Sequence, residues 1–162
     1  MGSDDLMLTS AWELAKRIRA KEISPVELTD LFLKRISELN PKLKAFITVA
    51  EEHARSAARA AESKVIRGDA LAILHGVPIA VKDSLSTKNI RTTGGSLVHR
   101  DFVPDDDSGS VERLIEAGAI VIGKTNLPEF ALGGGVSFNR VIGDDSHNPW
   151  NLEYTAGASS GG

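Results

Sequence analysis

Two stretches of this sequence carry residues able to do chemistry together. One is Gly157-Ala158-Ser159-Ser160-Gly161-Gly162, a doubled serine in a run of small residues suited to unusual backbone geometry. The other is Gly76-Val77-Pro78-Ile79-Ala80-Val81-Lys82-Asp83, an apolar run that delivers one lysine at its end. A serine hydroxyl reacts only when a base takes its proton. A lysine serves as that base when apolar surroundings disfavour its charged form. From about 10.4, a lysine pKa must fall by ~3 units, or ~4 kcal/mol, for work near pH 7. Burial at the end of Val77 to Val81 is the expected source. The combination implies serine-based acyl transfer without histidine. Taken singly, the signals have ordinary readings: a surface lysine at a strand end, and serines of a linker.

Other candidate chemistry falls away on inspection. Gly118-Ala119-Ile120-Val121-Ile122-Gly123-Lys124-Thr125 matches the phosphate-binding P-loop pattern in full. A P-loop needs a loop between its glycines and a helix after them. Here the intervening residues are β-branched and apolar, and Asn126-Leu127-Pro128 follows, so the segment reads as a strand. His53, His75, His99 and His147 lack ligand-like spacing, and no metal or cofactor is expected. Asp105-Asp106-Asp107 precedes Ser108 and a helix, where carboxylates favour the positive end of the dipole. The absence of cysteine excludes disulfides, thiolate catalysis and cysteine-bound zinc.

Composition sets the frame. At 162 residues, 41% apolar and 25% charged, the chain fits one ordinary globular domain or part of a larger one. A net charge of −3 and a pI near 5.8 give no electrostatic case for nucleic acid. No stretch approaches the ~18 apolar residues of a membrane span. Met1-Gly2-Ser3-Asp4-Asp5 lacks the basic and apolar regions of a signal peptide, so a cytoplasmic protein is expected.

The elements that must position Lys82 and the serines are legible in outline. Residues 1–70 read as a mainly helical lead-in. Ser10 with Glu13 predicts a capping box, with Trp12, Leu14, Ala15 and Ile18 as one apolar face. Ser24-Pro25-Val26-Glu27 predicts a second helix start, and Asn40-Pro41 its end. Ala45 to Val49 reads as a short strand. Glu51 to Arg67 reads as a helix stopped by Gly68. Residues 71–162 hold the first strands, the lysine motif and the Ser-Ser-Gly-Gly loop. Val77 to Val81 predicts a buried strand, with Pro78 at its start or on an edge. Val111 to Ala117 predicts a helix closed by Gly118, and Ala119 to Ile122 a strand buried on both faces. From Gly133 onward the tail reads as mostly irregular. The alternation after residue 70 gives an α/β class.

With these elements in order, the chain resembles the amidase signature family of serine hydrolases. The matching stretches are Gly76 to Asp83, Arg91-Thr92-Thr93-Gly94-Gly95-Ser96, Glu116-Ala117-Gly118-Ala119, Gly123 to Phe130, Asn148-Pro149-Trp150 and Gly157 to Gly162. They arrive in the family's order, and Ser24 to Leu28 resembles its N-terminal helices. The resemblance implies that 1–162 is the N-terminal part of a single layered domain, with a mixed sheet flanked by helices. It implies a Ser–cis-Ser–Lys triad, with Lys82 as the lysine and Ser159 as the bridging cis-serine. Ser160 matches a second serine whose implied role is to hold the loop. Family members usually carry glycine before the bridging serine, where this chain has Ala158. The family's nucleophilic serine and oxyanion-hole amides lie in a later Gly-Gly-Ser segment, so residues 1–162 alone are expected to lack them. Ala131 and Leu132 fall where relatives line the acyl pocket, and Gly133, Gly134 and Gly135 imply a flexible or open wall.

The implied reaction is hydrolysis of a small carboxamide to an acid plus ammonia or amine. The alternative is the A subunit of a tRNA-dependent amidotransferase, which works with partner subunits. That subunit usually has a Met-Asp-Glu-Phe-like stretch where this chain has Leu127-Pro128-Glu129-Phe130, a form more like free-standing amidases. A third reading is a non-catalytic fragment.

Overall fold

Serines open two successive helices in the computed structural model, which describes residues 6–132, 142 and 145–162. Ser10 Oγ accepts from the Glu13 N–H at 3.3 Å and caps α1, Ala11–Arg19. The Glu13 carboxylate turns to Arg17 Nε at 3.2 Å. Leu14, Ala15 and Ile18 form the buried face, but Trp12 is 64% exposed. At ~100° per residue, Trp12 sits well away from the sector shared by the other three. The expected apolar face therefore loses its tryptophan.

Ser24 Oγ accepts from the N–H groups of Val26 and Glu27 and starts α2, Pro25–Leu43. It also donates to Glu62 of α3, Glu51–Arg67, so one hydroxyl ties the start of one helix to the flank of the next. Helix α2 does not stop at Asn40-Pro41, as the sequence suggests; it runs through Pro41 to Leu43. Proline already has a helical φ, and in the last turn its missing N–H forfeits a single bond. The stop comes at Lys44, whose φ is +53° and whose N–H returns to Asn40 O at 2.9 Å. The Asn40 side chain then brackets Phe46, accepting from its N–H at 2.8 Å and donating to its carbonyl at 3.1 Å. That bracket feeds the chain into β1, Phe46–Val49.

Strands β1, β2 (Pro78–Lys82) and β3 (Ile120–Thr125) form a mixed sheet in the order β1-β3-β2. Strand β3 is antiparallel to β1 and parallel to β2. Every residue of β3 is buried. Its alternation explains this: Ile120 and Ile122 pack on Leu33 and Ile36 of α2 and on the alanines of α3. Val121 points the other way, to Val81, Ile90 and Val111 of α4, Gly109–Glu116. Helices thus cover both faces of the sheet. The apolar run at 77–81 pairs with β3 as expected, but β2 is buried only at Val81, while Ala80 is exposed. Among the described residues only one side of β2 is paired, which leaves it as an edge.

Two backbone details fix the crossover from α4 to β3. Gly118 has φ +89°, and a Cβ there would stand 2.8 Å from His75 Cα. Gly118 O accepts from Gly76 N at 2.9 Å, so this close approach aligns the starts of β2 and β3. The segment 118–125 is therefore turn and strand, with no phosphate-type loop. The tail also holds more order than its composition suggests. Strands β4 (His147–Asn148) and β5 (Asn151–Thr155) form an antiparallel hairpin. Asn148 Oδ1 accepts from Trp150 N–H at 3.0 Å, an Asx turn that closes the hairpin around Pro149. The expected glycine wall at 133–135 lies outside the described residues.

Candidate active site

The sheet brings Lys82 and Ser159 into contact. Lys82 ends β2 opposite Thr125, at the carboxyl ends of the parallel pair β2–β3, where α/β sheets place their sites. Lys82 Nζ donates to Ser159 Oγ at 2.8 Å across 77 positions of sequence. The Ala158–Ser159 peptide bond is cis. Lys82 is half-buried and Ser159 is exposed, so among the described residues the lysine has less cover than the apolar run suggests.

The serine loop is docked by main-chain contacts on either side of the doublet. Gly161 N donates to Asn126 O at 2.9 Å, directly after β3, and Ala156 N donates to Ser146 O at 3.0 Å. Small residues are required here: a Cβ on Gly162 would overlap Ala45 O. Ser160 is exposed beside Ser159.

Ala131 and Leu132 follow β3 at the end of a short 3-10 turn, Glu129–Ala131. Phe130 and Ala131 both have positive φ, +51° and +59°. The turn is held from the Thr92–Ser96 loop: Ser96 Oγ donates to Glu129 Oε1 at 2.6 Å, and Phe130 N donates to Gly94 O at 2.7 Å. Leu132 is largely exposed. The structure thus carries Ala131 and Leu132 on the segment leaving β3, the strand that pairs with the Lys82 strand.

Sequence reasoning missed the most buried ionisable groups near the site. Lys124 and Asp83 are both fully buried, with Lys124 Nζ 3.9 Å from Asp83 Oδ1. Burial pushes the Lys124 ammonium down from the usual lysine range to about 8, and the Asp83 and Asp107 carboxylates oppose the fall. The signal was present: a lysine inside a run buried on both faces must be solvated by the protein itself.

The chain belongs to the amidase family, whose model, described as Amidase, matches residues 27–162. Among curated relatives, it is 43% identical over 158 residues to the A subunit of glutamyl-tRNA(Gln) amidotransferase from Carboxydothermus hydrogenoformans, covering 98% of this chain and 32% of that one. It is 47% identical over 150 residues to the same-named protein of Coxiella burnetii, covering 93% and 30%. Similar solved structures include the peptide amidase of Stenotrophomonas maltophilia, with 31% identity, a TM-score of 0.84, and coverage of 95% of this chain and 32% of that one. A fatty acid amide hydrolase matches with 27% identity and a TM-score of 0.89, over 98% of this chain and 28% of that one. The chain spans about a third of the length of these relatives.

Proposed function

We propose that this chain supplies the lysine and bridging serine of an amide hydrolase that cleaves a carboxamide to an acid plus ammonia or amine. The observation that carries the reading is the 2.8 Å contact between Lys82 Nζ and Ser159 Oγ. In the relay the same contact runs in reverse: Ser159 passes its proton to Lys82 Nζ and takes the proton of a nucleophilic serine. That serine and its oxyanion donors come from a segment outside residues 1–162. Attack on the amide carbon forms a tetrahedral intermediate, and Lys82 returns the proton through Ser159 to the departing amine. Water then repeats the sequence on the acyl-enzyme. Ser160 supports the loop, and Ala131 and Leu132 border the acyl group. The proposed setting is the cytoplasm. No described helix is long and apolar enough to cross a membrane.

A second reading is favoured by the curated relatives, which are amidotransferase A subunits. In that case the amide is a donor whose ammonia passes to an aminoacyl-tRNA with partner subunits. Both readings use the same Lys82–Ser159 step and differ in the fate of ammonia. The test is ammonia release by the purified full-length protein from simple aryl and alkyl amides. Turnover without any partner supports the free hydrolase. Silence on those amides, with ammonia release from glutamine only when partner subunits and tRNA are added, supports the second reading.

A further inference from the structure

Consecutive residues at the end of β2 leave the backbone on opposite sides. Lys82 goes to Ser159, and Asp83 goes to a sealed interior beside Lys124. Asp83 Oδ2 accepts from the Thr93 N–H at 3.0 Å and from Thr93 Oγ1 at 2.5 Å. Asp83 Oδ1 has no hydrogen-bond partner among the described residues and faces Lys124 Nζ at 3.9 Å. An ammonium group has three donors, and Lys124 commits all of them elsewhere. They go to Leu85 O at 2.5 Å, Thr87 Oγ1 at 2.9 Å and Thr92 Oγ1 at 2.8 Å. The attraction between Lys124 and Asp83 is thus coulombic, with no shared hydrogen bond. The Asp83 main chain is pinned as well, its N–H to Thr125 O and its carbonyl to Gly94 N–H, both at 3.1 Å.

The Asp83 N–H bond and the Lys124 attraction join Asp83 to β3, and the other contacts tie β3 or Asp83 to the loop from 85 to 94, just after Lys82. We propose that the buried Asp83–Lys124 pair, with Thr93, is a positioning device that holds the β2 end so that Lys82 Nζ stays within reach of Ser159. Lys124 and Thr93 are positioning residues and touch no reacting atom. Without the Lys124 cation, Asp83 is a buried charge lacking its counter-ion. It relieves that state by taking a proton or by moving toward solvent, and either change loosens residues 82–83. Burial alone does not account for the pattern, since apolar residues of similar volume fill a core at least as well as an ion pair. The inference rests on the reading of Lys82 as the proton acceptor.

The test uses the full-length protein and an aryl amide, with Lys82→Ala, Lys124→Met and Thr93→Val side by side. Thr93→Val keeps the shape and removes only the hydroxyl that bonds Asp83. Misplacing a reacting group by about an ångström costs up to ~10²-fold, so Lys124→Met should lower kcat by about 10- to 100-fold. Thr93→Val should lower it by roughly 3- to 10-fold, and in both variants KM should stay within about twofold, the signature of an interaction used in the chemical step. A purely structural pair would instead lower the melting temperature and leave kcat at 25 °C untouched. Wild-type kcat in folded Lys124→Met or in Thr93→Val, with Lys82→Ala inactive, overturns the inference and leaves the reading of Lys82 standing. Full activity in Lys82→Ala overturns both. If Lys124→Met does not fold, the Thr93→Val result decides alone.

Discussion

Replacing Lys124 by methionine should change how stability depends on pH, and the structure gives both sign and size. Burial lowers the Lys124 pKa from 10.5 to about 8 in the folded state, with Asp83 and Asp107 opposing that shift. Below pH 8 both folded and unfolded chains hold the proton, so the contribution is flat. Between pH 8 and 10.5 the unfolded chain still holds it while the folded one releases it, so stability rises with pH across that window. The difference is on the order of 3 kcal/mol, with a slope of at most ~1.4 kcal/mol per pH unit. At pH 7 the variant loses stability nonetheless, because Leu85 O, Thr87 Oγ1 and Thr92 Oγ1 lose the donor they share in the interior, at a cost of roughly 1–3 kcal/mol for a buried polar group left unpaired. Urea denaturation of the full-length wild type and of Lys124→Met, from pH 7 to 10.5, isolates the effect as a difference between two curves. The wild type should gain relative to the variant above pH 8. A difference that stays flat, or that falls over this range, would refute the assignment of a desolvated ammonium to Lys124.

Ser159→Ala should slow acylation by ~10²-fold or more, since it removes the relay, whereas Ser160→Ala should slow it far less; rapid-quench measurement of acyl-enzyme formation in the full-length protein checks the order, and equal or inverted effects would mean the wrong serine of the pair has been assigned. Gly118→Ala should destabilise by about 1–3 kcal/mol, because φ is +89° and the new methyl meets His75 Cα at 2.8 Å; a denaturation midpoint equal to wild type would contradict that contact. Residues 1–162 expressed alone should not hydrolyse aryl amides, because the proposed nucleophile and oxyanion donors lie elsewhere, and losing even one such donor costs ~10²–10³-fold. Robust turnover by that monodisperse segment would require a nucleophile within it.

Local chemistry made much of the fold legible. The serine caps at Ser10 and Ser24, the left-handed stop at Gly68 and the apolar run of β3 each act through neighbours a few residues away. Features that depend on distant partners were less legible. Pro41 reads as a stop, yet the helix outlasts it because Asn40 O still finds the Lys44 N–H. Trp12 looks like core by composition and is exposed by its angular position. The hairpin at 147–155 is held at its turn and along β5 by the side chains of Asn148 and Asn151, which average polarity conceals. At the site, resemblance pointed to Lys82 and Ser159, and the sheet supplies the reason they meet. The Lys124 network was hidden because its partners, Asp83, Leu85, Thr87 and Thr92, look like an ordinary polar loop until β3 is seen beneath them.

The relay itself is tested most directly by Lys82→Ala in the full-length protein. Turnover of an aryl amide should be followed at saturating substrate, with circular dichroism confirming the fold. The methyl group accepts no proton, and loss of a general base is worth ~10²–10⁴-fold, so kcat should fall by at least ~10²-fold while the spectrum stays native. A natively folded Lys82→Ala variant with the kcat of the wild type would contradict the account at its centre.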